Sequence, residues 1–232
     1  MTGNRRARIM TLLDASPAAS PLPVRIAAAT REVLDAEHVG LLLASSGVPL
    51  PLDCGDEVGM LLDEQQVSLG DGPSVIARTS ATPEAATDLG SPSGARRWPL
   101  FAPVAADRGV GSTVAMPLRA GAARLGVLTA YRSSPAGPDD EQFADALVLS
   151  ALVTDLLVGE QAGAAAGDLA TAVASGLETQ SVVHQAAGML SEQLGISIIE
   201  ALVRLRAHAT AHGLPLTAVG RRIVSGELDL ER

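Results

Sequence analysis

The last quarter of the chain most constrains the fold, because its apolar residues and glycines describe three short helices. Apolar residues recur at three- and four-residue steps from Val183 to Leu194, which is the spacing of one helix face. Gly195, Gly213 and Gly226 each follow such a stretch, and glycine is the usual residue just beyond a helix C-terminus. Three helices of this length make a small bundle and leave no enzyme cleft.

The starts of the second and third helices are also marked. Ser197 and Glu200 have capping-box spacing, in which the serine oxygen and the carboxylate each satisfy a backbone N–H. Pro215 is suited to the start of the third helix. The residues predicted to face inward are Val183, Ala186, Leu190, Leu194, Ile198, Ala201, Leu202, Leu205, Ala209, Leu216, Val219 and Ile223.

The residues of this segment match a family motif in order. They are Gln185-Ala186-x-Gly188-Met189-Leu190, Leu194-Gly195, Glu200-Ala201, Leu205-Arg206, Ala209 and Leu216-x-x-Val219. On these residues the last 55 or so positions resemble an ANTAR domain, the three-helix RNA-binding output module of transcription antitermination regulators. The resemblance implies a homodimer that grips paired stem-loops of nascent transcripts. The family commonly carries arginine and lysine where this chain has Gln180 and Ala187.

We predict an RNA-binding surface from the polar residues of these helices. Arg204 and Arg206 flank the inward-facing Leu205, so both diverge toward solvent and could meet phosphates. Ordinary solvated charges, paired with Glu200 or Glu192, are the alternative. The segment has no aromatic residue to stack on bases, so histidine and arginine planes would substitute. The predicted surface comprises His184, Gln185, Gly188, Arg204, Arg206, His208, Arg221 and Arg222.

The charge of the chain is uneven. A net charge of −9 argues against general attraction to nucleic acid or to anionic membranes. Residues 139–178 hold eight acids and no arginine, whereas five arginines balance five acids from residue 179 onward. The C-terminal helices are therefore the less acidic part of the chain, as an RNA-binding segment requires.

Cysteine content and the N-terminal residues bear on the compartment. Cys54 is the single cysteine, which excludes an intrachain disulfide and favours a reducing compartment. The first residues lack the apolar core and cleavage site of a signal peptide, and we find no apolar run of membrane-span length. We expect a soluble cytoplasmic protein.

The first two thirds of the chain read as a mixture of helices and strands. We predict a flexible or partly helical lead-in over residues 1–19, a helix over 23–35, strands over 38–44 and 58–62, and a helix over 74–79. Strands over 111–118 and 125–131 form a hairpin. The glycines and proline of residues 70–73 make a turn, and a phosphate-binding loop is the alternative, although the Walker lysine and the GxGxxG pattern are missing.

This order of elements, with several short motifs, resembles a GAF domain over about residues 20–158. The motifs are residues 69–73 (LGDGP), 88–89 (DL), 97–101 (RWPLF), 109–110 (GV), 116–118 (MPL) and 124–128 (RLGVL). Such domains bind cyclic nucleotides, haem, tetrapyrroles or nothing, so the resemblance implies a sensor whose cofactor is unknown. Trp98, Phe101 and Met116 are candidate ligand contacts, with packing on the sheet as the alternative; His38 is a candidate haem ligand or a residue at a strand edge.

A connector over residues 159–178 follows the sensor segment. Before it, a helix begins at the acidic residues 139–141, and Ala146, Leu149, Val153 and Leu156 form a coiled-coil-like seam that could join two chains. Gly159, Gly163 and Gly167 recur at four-residue steps and either let helices approach closely or weaken the helix. The predicted fold class is α+β, in which an antiparallel sheet flanked by helices (20–158) is joined to a three-helix bundle (179–232).

No enzyme motif is evident. His208 and His212 have zinc-compatible spacing, but no third ligand is apparent, and surface histidines near a helix end are the simpler reading. The sequence therefore predicts a signal-responsive, RNA-binding antitermination regulator. The alternatives are a DNA-binding helical module and a protein-interaction regulator whose helical tail does not bind RNA.

Overall fold

The structure, a computed structural model, describes residues 2–17, 20–44, 49–161 and 168–230. The chain divides into two compact units, Met1–Val173 and Ala174–Arg232. The boundaries that the sequence predicts for the lead-in, sensor, connector and C-terminal domain stay predictions.

The first unit combines seven helices and five strands among the described residues. The helices are α1 (Thr2–Asp14), α2 (Leu22–Leu34), α3 (Glu57–Leu69), α4 (Pro73–Ser80), α5 (Pro92–Arg97), α6 (Phe101–Ala106) and α7 (Asp140–Gln161). The strands are β1 (His38–Leu43), β2 (Leu50–Pro51), β3 (Glu84–Ala86), β4 (Ser112–Ala120) and β5 (Ala123–Arg132). They form one antiparallel sheet in the order β2-β1-β5-β4-β3, as the α+β prediction requires.

Both faces of this sheet are covered, because alternate residues of a strand point to opposite faces. On one face Val114, Met116 and Leu118 of β4 join α1, α2 and α7 in a cluster that we call core A. On the other face Tyr131 packs with Leu62 of α3, with Trp98 and with residues of α6, in a cluster that we call core B. The predicted hairpin is confirmed as β4 and β5.

The strand predicted over residues 58–62 is wrong, because this segment belongs to α3. The side chain of Asp56 accepts a hydrogen bond from the N–H of Gly59 (2.8 Å), which starts the helix. A left-handed Gly70, with φ of 63°, ends it. A short apolar run does not separate strand from helix by its periodicity, and the cap decides here.

The N-terminal residues, predicted as a flexible or partly helical lead-in, form a packed helix, α1. Ile9 and Leu13 are buried in core A. Arg5 and Arg8 both form ion pairs with Asp145 of α7. The polar residues of α1 hid this role in the sequence, because their ionic partners lie about 140 residues away.

Helix α7 is long and apolar enough to cross a membrane by length and composition, which the sequence analysis did not expect. In this structure it is a core helix, since Ala146, Leu149 and Val153 are buried in core A. The predicted seam is therefore used within the chain and is wrong as a contact between chains. Gly163 and Gly167 lie outside the described residues.

The C-terminal helices are α8 (Asp168–Leu194), α9 (Ile198–His212) and α10 (Leu216–Val224). The predicted helix ends are confirmed by left-handed Gly195 and Gly213, with φ of 60° and 61°. Ser197 Oγ accepts from the N–H of Glu200 at 3.1 Å. The buried members of the cluster that we call the bundle core are Ala186, Ala187, Leu190, Ala201, Leu205, Ala209, Val219 and Ile223. Ile198 was predicted to face inward but is 54% exposed.

Candidate functional site

An exposed polar patch lies on α8, around Gly188. His184 and Gln185 are exposed, and they precede Gly188 by four and three residues, so the three share a helix face. A Cβ built on Gly188 would meet no atom within 4 Å. A glycine inside a helix costs about 1 kcal/mol of stability relative to alanine. Since an alanine side chain would fit here without a clash, packing within the chain does not explain why the residue is glycine.

Position 187 has a different environment. Ala187 is fully buried in the bundle core, so the residue that replaces the family's common lysine is a core residue in this chain. The side chain of Gln180, at the other departure from the family pattern, is outside the described part of the structure.

The two arginines of α9 flank a buried residue, as predicted. Leu205 is fully buried, Arg204 is exposed and Arg206 is half-buried. Arg204 Nη2 lies 3.2 Å from Glu200 Oε1, an ion pair between residues four apart on one helix. A surface pair of this kind contributes only a few tenths of a kcal/mol, so Arg204 could exchange Glu200 for a phosphate at little cost.

The histidines of α9 lie beside α10. The rings of His208 and His212 stack with their centroids 4.0 Å apart, and His212 Nδ1 lies 2.9 Å from the carbonyl oxygen of His208. Burial, His212 and Arg222 together lower the pKa of His208. Arg221 and Arg222 are exposed. Within the described residues, no three His, Cys, Asp or Glu side chains form a metal-binding group.

The predicted RNA-binding residues thus fall into sets on the second unit. His184, Gln185 and Gly188 share a face of α8, and the charge of Arg222 on α10 acts on His208 of α9. Arg204 is engaged by Glu200.

In the first unit, the three candidate ligand contacts are all buried, and they do not form one site. Trp98 and Phe101 are 4% and 0% exposed in core B, with the Arg97 guanidinium 5.2 Å from the centre of the Trp98 ring. Met116 lies in core A, on the opposite face of the sheet. The packing alternative therefore describes their environment in this structure.

The glycine-rich turn has a structural role. A Cβ on Gly72 would lie 2.3 Å from Gln66 Oε1, so only glycine fits there, and the same oxygen accepts from the N–H of Ser74 at 2.8 Å. Asp71 Oδ2 accepts from the N–H groups of Leu100 and Phe101, at 2.9 and 3.0 Å. The sequence analysis missed this role of Asp71, which joins two of the motifs that it had identified.

Asp56 was also missed, although it connects α2, α3 and β1. Its carboxylate accepts from the N–H of Val39 at 2.9 Å and pairs with Arg31, and His38 Nδ1 lies 3.1 Å from its Oδ1. Burial opposes ionisation, but the hydrogen bonds from Gly59, Val39 and Arg31 outweigh it and lower the pKa of Asp56. His38 is thus a partner of a structural carboxylate at the start of β1.

A second buried acid, Asp63, lies on α3 against the sheet. Its side chain is completely buried, and Tyr131 Oη donates a hydrogen bond to its Oδ1. Burial raises the pKa of Asp63 to about 7, although the hydroxyls of Tyr131 and Thr129 act in the opposite sense. In the sequence, Asp63 directly follows the apolar run of residues 58–62. Because that run was predicted to be a strand, a buried acid on a helix was not expected there.

A groove of about 360 Å³ lies on the first unit where α7 passes the ends of α4 and β4. It is lined by Ser80, Ala81, Thr82, Pro83, Pro117, Arg119, Leu147, Ser150, Ala151 and Thr154. Arg119 is the single ionisable group in this lining, so the groove is mainly a neutral surface with several hydroxyl groups.

A helix-flanked antiparallel sheet followed by a helical bundle with a polar surface defines a two-domain regulator of the sensor–output kind. Comparison with protein families gives the same answer in both parts. The GAF domain model matches residues 25–153 and the ANTAR domain model matches residues 171–224. The chain belongs to the GAF family and carries a C-terminal ANTAR domain, and it is thus a signal-regulated ANTAR regulator. These are sensor and regulatory domains, not catalytic ones.

Solved structures of low sequence identity are similar to the chain. The GAF domain of an Acinetobacter phosphoenolpyruvate-protein phosphotransferase is 12% identical (TM-score 0.49, covering 68% of this chain and 94% of that one). Its Coxiella burnetii counterpart is 14% identical (TM-score 0.47, 68% and 94%). A phycocyanobilin-bound GAF domain from a cyanobacterial phytochrome is 12% identical (TM-score 0.44, 71% and 98%). No curated protein matches the chain significantly.

Proposed function

We propose that this chain is a cytoplasmic transcription regulator whose ANTAR domain binds stem-loop RNA and promotes antitermination under the control of its GAF domain. It acts as a homodimer that grips paired stem-loops of a nascent transcript and favours the antiterminator over the terminator. The role of ANTAR domains in antitermination supports this proposal. No catalytic step is assigned to the chain.

The open space above Gly188 on α8 is the observation that carries the proposal. A glycine at this position has a stability cost and leaves open space above the helix, which supports a role in contacting a ligand. The missing side chain lets a ligand approach the helix backbone closely. His184 and Gln185 flank the gap and can supply a planar ring and an amide, groups that stack on and hydrogen-bond to the bases of a loop.

The net charge of the chain is negative, so attraction to phosphate must come from individual arginines. Arg221 and Arg222 on α10 are exposed, and Arg206 on α9 is half-buried. Each cation that meets a phosphate releases a counterion, so the affinity falls with salt in proportion to the number of such contacts. The proposed contacts are few, so a modest salt dependence is expected, with specificity contributed by the α8 patch.

The first test is a titration of the full chain with three nucleic acids of equal length: a two-stem-loop RNA, a single stem-loop RNA and a duplex DNA. Each titration is run at roughly 50 and 200 mM salt. We expect a preference for the two-stem-loop RNA that persists at the higher salt. Equal and salt-sensitive binding to all three would reduce the interaction to arginine–phosphate attraction, and a preference for the duplex would favour the DNA-binding alternative.

One observation favours the protein-interaction alternative. Ile198 and Val203 of α9 are 54% and 56% exposed, so each leaves apolar surface in water that a protein partner could cover. Under that alternative, none of the three nucleic acids would bind at either salt concentration. Double substitution of Ile198 and Val203 by serine would then remove the function in cells while the RNA titration stayed blank.

A further inference from the structure

The side chain of Asp63, on α3, lies against the central strands of the sheet. A Cβ built on Gly40 of β1 would lie 2.1 Å from Asp63 Oδ2, so the carboxyl group lies directly against the strand. Gly40 is paired with Thr129 of β5, whose side chain is also completely buried. A larger residue than glycine at position 40 would expel the carboxyl, and the two positions therefore function together.

A chain of buried hydrogen bonds connects Asp63 to the start of α4. Tyr131 Oη donates to Asp63 Oδ1, and Gln66 Nε2 donates to Tyr131 Oη at 2.8 Å. Gln66 Oε1 in turn accepts from the N–H of Ser74, in the first turn of α4, at 2.8 Å. Every donor in this chain is directed toward the Asp63 carboxyl, so a change of charge there reaches α3, β5 and α4 at once.

The other oxygen of the carboxyl is not satisfied. Asp63 Oδ2 and the Thr129 hydroxyl oxygen are both buried without a partner in hydrogen-bonding geometry. The Thr129 hydroxyl still lies near enough to lower the pKa of Asp63, so it is the polar group beside this oxygen. A buried carboxylate oxygen with no donor is costly, and a proton on it removes the charge and turns it into a donor beside the Thr129 hydroxyl. The geometry thus holds a place for one proton.

We propose that Asp63 is the proton-binding site of the sensor domain and that the signal the domain reads is pH. Protonation of Asp63 stabilises the packing of α3 and the first turn of α4 on the sheet, and ionisation loosens it. This inference rests on the first unit alone and does not depend on the proposed binding of RNA. It gives the sensor an input that requires no small molecule in core B.

The charged surroundings favour the neutral acid. Burial, together with the nearby acids Glu64 and Asp56, raises the pKa of Asp63 to about 7. From β5, Tyr131 remains protonated because burial and Asp63 raise its pKa well above the ordinary value. Burial likewise raises the pKa of the Cys54 thiol to about 12. Arg31 and His38 are the remaining charged or titratable groups on this side, and both engage Asp56; α4 contributes the uncharged Ser74.

The test uses the fluorescence of Trp98, the single tryptophan, which lies in core B with Leu62 and Tyr131. The full chain is titrated between about pH 5 and 9, a range that brackets an acid with its pKa near neutrality. We expect a sigmoidal change with its midpoint near the pKa of Asp63, about 7. In Asp63→Asn this sigmoid disappears, because the amide does not titrate.

Two further variants make the assignment specific. Tyr131→Phe removes the donor to the carboxylate, so it should move the midpoint to higher pH without abolishing the sigmoid. His38→Gln removes the histidine of the first unit and should leave the midpoint unchanged. A sigmoid that survives in Asp63→Asn, or an unmoved midpoint in Tyr131→Phe, would overturn the proposal. If Asp63→Asn does not fold, the midpoint of Tyr131→Phe tests the proposal.

Discussion

Single buried acids hold the sensor domain together, and the two most important act in opposite senses. Asp56 is ionised. It accepts hydrogen bonds from backbone N–H groups and pairs with Arg31, and its pKa is lowered. Asp63 is buried without a cation, and its pKa is raised. Asp56, at the cap of α3, stabilises the fold when it is charged. Asp63, within α3, stabilises the fold when it is neutral.

Replacement of Asp56 by alanine should be strongly destabilising. Its side chain is 4% exposed, and its removal leaves Arg31 and the N–H groups of Val39 and Gly59 without their acceptor. We expect a loss of roughly 3 kcal/mol or more in the free energy of unfolding at pH 7, measured by urea denaturation. The exposed Asp53→Asn is the matched control and should change it little.

The pH dependence of this effect follows from the lowered pKa. Because the folded pKa lies below the unfolded one, the contribution of Asp56 is present above the ordinary carboxyl pKa and is lost as the pH falls through the folded value. The difference between wild type and Asp56→Ala should therefore shrink in acid. A difference that stays constant into strong acid would contradict the ionic part of this account.

Residues whose partners are near in sequence could be predicted, and residues with distant partners could not. The left-handed Gly195 and Gly213 and the Ser197 cap were read from local spacing alone. Tyr131 lies 68 residues from Asp63, and no periodicity reports a contact across that separation. The fully buried Ala187 is a further case, since its burial depends on three helices meeting.

At the scale of elements, the hairpin and the helices with clear caps were predictable, whereas α1 and α3 were not. Helix α1 is polar along most of its length, and its ionic contacts with α7 appear only after folding. The start of α3 depends on Asp56, whose capping role cannot be told from a loop aspartate without the strand that it also binds. Tertiary contacts decided both elements.

Helix α7 also suggests how two chains could pair. Its predicted seam is buried in core A, but Leu147 and Val158 are 45% and 40% exposed, and with the exposed Ala151 they lie on one face of the helix. We expect this second face to carry the proposed dimer contact. The apolar side chains on this face can be buried only by contact with another chain.

Substitution of both Leu147 and Val158 by serine should turn a dimer into a monomer, measured by light scattering at micromolar protein. The midpoint of thermal unfolding of the first unit should change little, because both side chains are already partly exposed. Leu149→Ser, in core A, is the contrasting variant and should unfold the domain instead. A wild-type chain that is monomeric at this concentration would contradict the dimer.

For the whole molecule, the pKa of Asp63 sets the direction in which stability changes with pH. Its folded pKa is raised, so the stability that its proton contributes is fully present below the ordinary carboxyl pKa and is lost as the pH rises through about 7. Asp56 works in the reverse direction at lower pH. These two carboxyl groups together therefore stabilise the fold most at pH values between the pKa of Asp56 and that of Asp63.

In the proposed function the sensor domain controls an RNA-binding domain. Gly188 on α8, where a Cβ would meet no atom within 4 Å, tests that RNA binding most directly. In Gly188→Ala, the free energy of unfolding of the second unit should rise by up to about 1 kcal/mol, because alanine is the better helix former. At the same time the added methyl group should block close approach, and the affinity for the two-stem-loop RNA should fall about tenfold or more.

Gly159→Ala in α7 is the matched control, since its Cβ would also meet no atom within 4 Å. It should leave the RNA affinity unchanged. The decisive measurement is therefore the dissociation constant of Gly188→Ala for the two-stem-loop RNA beside that of the wild type. A more stable but weakly binding variant is the result that this account predicts, and a more stable variant that binds as tightly as the wild type would contradict it.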